Sequence, residues 1–381
     1  MEGFYLISGP ASVKVVSGFV DVLGFRVLPP SFFVVPIGRS VLARISGEVV
    51  ISSGSMVSID GSSYEFLDSV ASIVSGYDRI MVVGPMDSGK STLSAWVLNK
   101  MYSKGVKAYY LMVDIGQNEV YCPGFVTLAS PKPPVIPGYS GSFEEVKPCF
   151  VGSFTPSEAI DRYVACVSKL SKIDKPLVMD TDGWVSEEGL NIKAKLARIA
   201  GVKVIVTLGL DDRMLEELKS NVEVEILSLP RIAPHRKDRE DRRIHRERLI
   251  KLRLLEAKPV KVKAEGITVE GLPVLRGKMV DPSIVGSMAR NIVYAELLEE
   301  GSLVVVYRGR PPGGLKGLLL PEGWEKGLLV AVECDNEVKP GVIEKIDYRS
   351  RSIIIITTCK GKVERIEVGK ARVDLELVKG G

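Results

Sequence analysis

Gly84-Pro85-Met86-Asp87-Ser88-Gly89-Lys90-Ser91-Thr92 fits the phosphate-loop pattern G-x-x-x-x-G-K-[ST] at every fixed position. Arg79-Ile-Met-Val-Val83 precedes it, a short apolar run that reads as a buried strand. Leu93-Ser-Ala-Trp-Val-Leu-Asn-Lys100 follows, with helical spacing and no breaker before Gly105. Strand, glycine-bearing loop and helix form the context the motif requires. A polyphosphate needs several donors at once, and backbone N–H groups supply them only where the chain curls closely around the anion. Glycine at 84 and 89 permits that approach, and the start of the next helix adds free N–H groups and a positive dipole end. The expected nucleotide contacts are Gly84, Asp87, Ser88, Gly89, Lys90, Ser91 and Thr92. Lys90 is placed to reach the β- and γ-phosphates of ATP, and Ser91 to offer a hydroxyl to Mg²⁺.

Outward from the loop, composition narrows the chemistry. The 381 residues suggest two or three domains. Apolar residues make up 45% and charged residues 26%, as in an ordinary globular chain. No long apolar run is present, and the early Gly9-Pro10 argues against a signal peptide, so a soluble, cytoplasmic protein is expected. The five cysteines (Cys122, Cys149, Cys166, Cys334, Cys359) form no CxxC pair, and His235 and His245 are the sole histidines. A zinc site or a disulfide framework is therefore not expected. Catalysis has to rest on Asp, Lys, Arg and a metal held by oxygen.

Residues 1–75 read as a β-rich domain of short runs punctuated by Gly, Pro and Ser, with no visible chemistry. Phe32, Phe33 and Tyr64 suit core packing better than an exposed aromatic face. Residues 76–257 alternate apolar strands (Ile80–Val83, Ala108–Val113, Leu177–Met179, Val202–Leu208, and Val222–Leu227) with helical patterns at Thr92–Lys104, Pro156–Lys172, Leu190–Ala200 and Asp212–Lys219. That alternation implies an α/β domain, a mostly parallel sheet with helices on both faces and ligands at the carboxyl ends of its strands. Two strands end in aspartate, Tyr109–Asp114 and Lys175–Asp180, and pattern alone does not choose between them. The Pro/Gly-rich stretch from Tyr121 to Phe150 has no period and reads as a long loop, bordering a substrate channel or simply crossing the surface. Residues 258–381 turn β-like again, with one helical segment near Ser283–Glu299.

Residues 231–253 hold ten basic and four acidic side chains, an excess larger than the +4 net charge of the whole chain. After Pro234 the run reads as a helix, on which Arg239, Arg243 and Arg246 share one face and Arg242 and Arg246 form an overlapping pair. A solvated helix laced with Glu–Arg pairs would explain an ordinary charge run. A one-sided excess in a chain with a phosphate loop favours an arginine lid over phosphate.

The chain lacks an N-K-x-D box after a late strand, which argues against a regulatory GTPase: its one Asn-Lys pair, Asn99-Lys100, sits in the helix after the loop. A phosphate loop, a strand-end aspartate and an arginine lid instead compose a small kinase. At this point the motifs resemble the polynucleotide 5′-hydroxyl kinases, a family of archaeal RNA/DNA kinases and eukaryotic kinases of pre-mRNA cleavage, tRNA splicing and ribosomal RNA processing. Gly84–Thr92 is similar to the family's G-P-x-[DN]-x-G-K-S-T loop. Val113-Asp-Ile-Gly-Gln117, with Pro123-Gly124, resembles L-D-x-G-Q…P-G. Phe150–Pro156 resembles [FY]-x-G-x-x-[ST]-P, and Thr181-Asp-Gly-Trp184 resembles the T-x-G-W clamp. Arg239/Arg243 and Arg242/Arg246 both fit the R-x-x-x-R lid.

The resemblance implies a central phosphate-loop domain between N- and C-terminal β-rich domains. It also implies transfer of the ATP γ-phosphoryl group to the 5′-OH of RNA or DNA, in company with RNA-processing partners and away from membranes. Asp114 becomes the Walker B acid and, with Ser91, a metal ligand. Lys90, Thr181, Arg239 and Arg243 join Asp114 as catalytic residues, and Gln117, Trp184, Arg242 and Arg246 face substrate. Some family members are scaffolds with degraded loops. The intact Lys90, Ser91 and Asp114 favour activity here over a scaffold, a plain ATPase or a small-molecule kinase.

Overall fold

The computed structural model describes residues 1–232, 239–284 and 289–379. The chain divides into two compact units, Met1–Leu249 and Ile250–Gly381. No helix among the described residues is long and apolar enough to cross a membrane.

The first unit opens with an antiparallel sheet. Its strands are β1 (Glu2–Ser8), β2 (Ala11–Val22), β3 (Phe25–Val27), β4 (Phe32–Val35), β5 (Ser40–Ser52) and β6 (Ser55–Ile59), in the order β3-β2-β5-β1-β6 with β4 also on β2. Alternation sets its faces: in β2, Val13, Val15, Val20 and Val22 are buried and Lys14 and Val16 are not. Helix α1 (Ser62–Val74) follows, where a purely β reading of residues 1–75 expected strands. It buries Tyr64, Leu67, Ala71 and Val74, spaced at i, i+3, i+7 and i+10. Phe33 and Tyr64 are core residues as expected, whereas Phe32 is exposed.

The central sheet combines β7 (Arg79–Val83), β8 (Tyr109–Met112), β9 (Phe125–Pro131), β10 (Phe143–Phe150), β11 (Leu177–Asp180), β12 (Val204–Leu208) and β13 (Glu225–Leu229). Their order is β10-β9-β8-β11-β7-β12-β13. The stretch from β8 to β13 is parallel, and β9 and β10 extend it as antiparallel edge strands. Helices α2 (Lys90–Ser103), α3 (Ile160–Leu170), α4 (Glu187–Ile199) and α5 (Asp212–Asn221) supply the crossovers, and α6 (Arg239–Arg253) begins after the last strand. The long loop expected over Tyr121–Phe150 is thus largely the β9–β10 hairpin. Phe125, Val126, Leu128 and Ala129 are all buried, so no period-2 alternation betrayed the strand. Phe125 packs in the core against Phe150 and Tyr121.

The terminal sheet is anchored on α2. The fully buried Asn99 donates to Leu23 O (3.1 Å) and Val135 O (3.2 Å) and accepts from Val135 N (2.7 Å). Trp96 Nε1 and Lys100 Nζ both bond the Asp68 carboxylate of α1. Apolar side chains of the first sheet, α1, α2 and one face of the central sheet make one core, and the other face packs on α3 and α4.

The second unit pairs strands Lys258–Lys263, Ser352–Thr357, Glu337–Asp347, Leu328–Cys334, Val363–Arg372 and Thr268–Glu270, in that spatial order, around Val330, Ile343, Ile353 and Ile366. A smaller sheet holds Lys278–Met279, Ile292–Leu297, Leu303–Tyr307 and Leu318–Pro321. The helix expected near Ser283–Glu299 is absent: Ile292–Leu297 is a strand on Leu303–Tyr307, and residues 285–288 of that expectation lie outside the described residues. Pairing partners in the sheet override the local helical spacing there.

The cysteines also differ from expectation. Cys149 of β10 is bonded to Cys166 of α3, and Cys334 to Cys359, while Cys122 is buried and belongs to neither disulfide. Each pair is separated by 17 or 25 residues, so only the packing of α3 on β10 and the strand pairing of the second unit reveal them.

Candidate active site

Strand β7 ends at Val83 and runs directly into the loop. Gly84 is required by close approach: a Cβ there would sit 2.5 Å from Leu208 O and 2.7 Å from Ser88 Oγ. Gly89 has φ +100°, a conformation glycine adopts without cost. Asp87 occupies the left-handed region at φ +55°, a local strain of the kind that clusters at functional loops. The four successive carbonyls from Gly84 to Asp87 are taken by cations. Lys90 Nζ donates to Gly84 O (3.0 Å) and Pro85 O (2.8 Å). Arg231 Nη2 donates to Met86 O (3.1 Å) and Asp87 O (2.7 Å). Lys90 is 7% exposed; burial lowers its pKa, and Asp180, Asp114 and Asp182 oppose that.

A pocket of about 200 Å³ lies over the loop, lined among others by Arg39, Asp87, Ser91, Asp114, Gln117 and Glu119. A larger hollow of about 620 Å³ in the second unit, between Leu255–Lys258 and Thr357–Lys360, gathers no comparable chemistry.

Asp114 lies just past β8. Its Oδ1 accepts from the amides of Gly116 and Gln117, both at 3.0 Å, which fixes the carboxylate's direction. Burial pushes its pKa up to about 6, with Asp182 adding and Lys90 opposing. Asp180 ends β11, the strand between β8 and β7. Its Oδ2 accepts from Tyr110 OH at 2.7 Å, and burial raises its pKa while that bond and the nearby Ser91 hydroxyl oppose the rise.

The Thr181–Trp184 turn is built by a buried ion pair absent from the sequence reading. Asp182 Oδ1 accepts from Lys193 Nζ (2.8 Å) and from Trp184 N (2.7 Å), and Oδ2 accepts from Tyr163 OH (3.0 Å). Lys193 also donates to Trp184 O at 2.7 Å. Burial works to raise the Asp182 carboxyl, but Lys193, the Trp184 amide and Tyr163 together hold it below its ordinary value. Thr181 Oγ1 donates to Val82 O (2.8 Å), so its hydroxyl joins two strands and does not point at the pocket. At Gly183 the turn touches the phosphate loop, where an added Cβ would lie 2.6 Å from Met86 N.

The lid helix presents one pair of the expected arginines to this site. Arg242 Nη1 meets Asp87 Oδ2 at 3.3 Å. Arg246 stacks its guanidinium 4.7 Å from the Phe154 ring centroid, on the Phe150–Pro156 turn, and feels Asp114; burial lowers its pKa. Of the pair expected to be catalytic, Arg239 is exposed, and Arg243 pairs with Glu240 (2.5 Å) and Glu247 (2.9 Å) with its side chain 53% exposed. The four arginines crowd one side of the helix, and Arg243 is drawn off by two glutamates of its own helix. His235, Arg236, Lys237 and Asp238 of the basic run lie outside the described residues.

Two more residues enter from places the sequence left blank. Arg39, between β4 and β5, brings a cation from the terminal sheet into the pocket. It pairs with Glu119, whose Oε1 also meets His245 Nε2 of the lid at 2.8 Å. Burial lowers the Arg39 pKa against Tyr110, Asp180, Asp87 and Asp114. In sequence Arg39 is one arginine after a Pro-Ile-Gly turn, and nothing local marks it.

The residue set fits a nucleotide phosphate and a divalent cation. Ser88 Oγ is fully buried with no hydrogen-bond partner, the cradle at Gly84 tolerates no Cβ, and α2 begins at the loop with Lys90 and Ser91.

Residues 84–252 match the family described as mRNA cleavage and polyadenylation factor CLP1 P-loop. A polyribonucleotide 5′-hydroxyl-kinase of Pyrococcus furiosus is 28% identical over 209 residues, 52% of this chain and 57% of that protein. A polyribonucleotide 5′-hydroxyl-kinase of Thermococcus kodakarensis is 32% identical over 148 residues, 38% of this chain and 41% of that protein. A CLP1 homolog of Arabidopsis thaliana is 25% identical over 166 residues, 40% of this chain and 37% of that protein. The matches thus span from just over a third to just over half of those relatives' lengths. A solved structure of Clp1p with Pcf11p aligns over 98% of this chain and 97% of its own at a TM-score of 0.63 and 15% identity, so the fold is Clp1-like. The phosphate-loop domain of this chain, residues 84–252, belongs to the CLP1 P-loop family.

Proposed function

We propose that the protein is a polynucleotide 5′-hydroxyl kinase, transferring the γ-phosphoryl group of ATP to the 5′-OH of RNA or DNA. The observation that carries the reading is Asp114: an oriented carboxylate with a pKa near 6, set beside the phosphate loop and opposite Arg246. The names of the archaeal relatives support the nucleic-acid acceptor.

Phosphoryl transfer asks the protein mainly for positioning and charge neutralisation. Lys90, turned from the loop carbonyls to the anion, and the loop amides hold the β- and γ-phosphates. Ser91 and Thr92 open the helix at the same anion. Asp114 accepts the proton of the 5′-OH while the 5′-oxygen bonds to γ-phosphorus and the bond to the β,γ-bridging oxygen breaks, releasing ADP. Arg242 and Arg246 neutralise charge on the moving group, with Arg39 on the opposite wall. Gln117 and Trp184 border the acceptor side. Mg²⁺, when bound, neutralises phosphate charge; Ser91 and a strand-end aspartate would hold it.

Lys90→Ala should reduce 5′-end labelling of an oligonucleotide by γ-labelled ATP to below about 1% of wild type, with the circular dichroism spectrum unchanged. Full labelling by this variant would sink the assignment. ATP turnover stimulated by nucleosides as well as by 5′-OH oligonucleotides would transfer the reading to a small-molecule kinase.

A further inference from the structure

The geometry points to a division of labour between the two strand-end aspartates: Asp180, with Ser91, anchors the divalent cation that accompanies the nucleotide, and Asp114 is left to the acceptor hydroxyl. This rests on the phosphoryl-transfer reading above and reassigns the cation within it, away from the Asp114 that family resemblance selects.

Strand order is the first reason. β11 lies directly against β7, the strand that feeds the phosphate loop, in the register Asp180↔Val82. β8, which leads to Asp114, is one strand further out. Asp180 is therefore the carboxylate beside the root of the loop.

The second reason is an unused oxygen. Asp180 is 1% exposed, and while Oδ2 takes the Tyr110 hydroxyl, Oδ1 has no hydrogen-bond partner. A buried carboxylate oxygen left bare costs free energy unless something fills it. The neighbour that faces this carboxylate is Ser91, on the first turn of α2. A hydroxyl that lines the pocket over the loop and a carboxylate oxygen with no partner at the strand end beside it form the protein half of a site for a hard divalent cation. No three His, Cys, Asp or Glu side chains among the described residues could hold a metal alone. The remaining ligands must come from the nucleotide's phosphates and water, as is usual for Mg²⁺.

The third reason is that Asp114 is oriented otherwise. Its Oδ1 is committed to two backbone amides, and the group facing it from the lid is Arg246, a cation suited to the transferred phosphoryl group.

The test measures Mn²⁺ binding by electron paramagnetic resonance in the presence of ADP, with metal-free ADP binding measured separately in EDTA. Asp180→Asn should bind metal-free ADP as wild type does and lose about 10–100-fold in Mn²⁺ affinity. Asp114→Asn should keep its Mn²⁺ affinity although transfer is lost. Wild-type Mn²⁺ affinity in Asp180→Asn overturns the inference, and so does a tenfold loss in Asp114→Asn, even if Asp180→Asn fails to fold. Absence of any ADP binding by the wild-type protein in EDTA would instead overturn the phosphoryl-transfer reading beneath it.

Discussion

Asp114→Asn should yield a protein that is more stable than wild type and nearly inactive. The buried carboxyl titrates near 6 in the folded chain, against 3.8 ordinarily, so ionising it at neutral pH opposes folding. A two-unit gap sets a ceiling of roughly 3 kcal/mol at about 1.4 kcal/mol per unit. Asp114 keeps part of its surface open to the pocket, which brings the expected gain down to about 2 kcal/mol.

The sign follows from linkage. A raised folded pKa means the wild-type carboxyl contributes its full stability below pH 3.8 and loses it as pH rises through about 6. The advantage of the asparagine, which can still accept from the Gly116 and Gln117 amides, should therefore grow between pH 4 and 6 and level off above. Denaturant unfolding at pH 4, 6 and 8 would measure it. A constant difference across that range would contradict a titrating origin. Phosphoryl transfer should fall by about 10²–10⁴-fold, the usual contribution of a general base. In the wild-type protein kcat/KM should decline below an apparent pKa near 6.

The second large effect concerns Lys193, whose side chain is 1% exposed. Lys193→Met fits the same space but leaves the Asp182 carboxylate buried without its cation. It also strips a donor from Trp184 O. Breaking a buried pair on one side typically costs about 3–5 kcal/mol, and that is the loss expected in denaturant unfolding at pH 7.5. Asp182→Asn combined with Lys193→Met removes the stranded charge and should recover half or more of the loss. An additive double mutant would show that the pair does not act as a unit. Because the same pair shapes the turn that meets the phosphate loop at Gly183, the single variant should also lower kcat more than it raises KM for ATP. The wild-type contribution of Asp182, whose folded pKa is depressed, is present above the ordinary carboxylate range and is lost as pH falls through and below it.

The motif carried the centre of the site in plain view. Gly84, Gly89, Lys90 and Ser91 are contiguous, and phosphate binding by a loop and a helix start is local chemistry that a short segment can encode. Strands β7, β8, β11 and β12 were legible for a similar reason: each is a compact apolar run, and β7, β11 and β12 stand ahead of a helix. β9 was not, because a strand buried on both faces and hemmed by Pro and Gly shows no alternation. Ile292–Leu297 read as helix because its spacing permits either form, and its partner strand Leu303–Tyr307 decides. The arginine lid showed the limit most clearly. Several spacings of four are present in the sequence, and only the packing of α6 against Asp87 and Phe154 selects Arg242 and Arg246.

By itself the sequence determined what kind of loop this chain carries, one of the phosphate-cradling type, and its place in an α/β sheet whose strand ends carry two aspartates. These are properties of short stretches, governed by backbone conformation and by the residue types that permit it. The tertiary structure decided which groups meet: Arg39 and Glu119 with His245, Lys193 with Asp182, and Asp180 beside the strand that feeds Gly84. Those pairings span up to 126 positions, between Glu119 and His245, and depend on strand order and helix phase. Burial then changes their chemistry, because the pKa of a carboxylate depends on the charges and water around it and not on its neighbours in the chain.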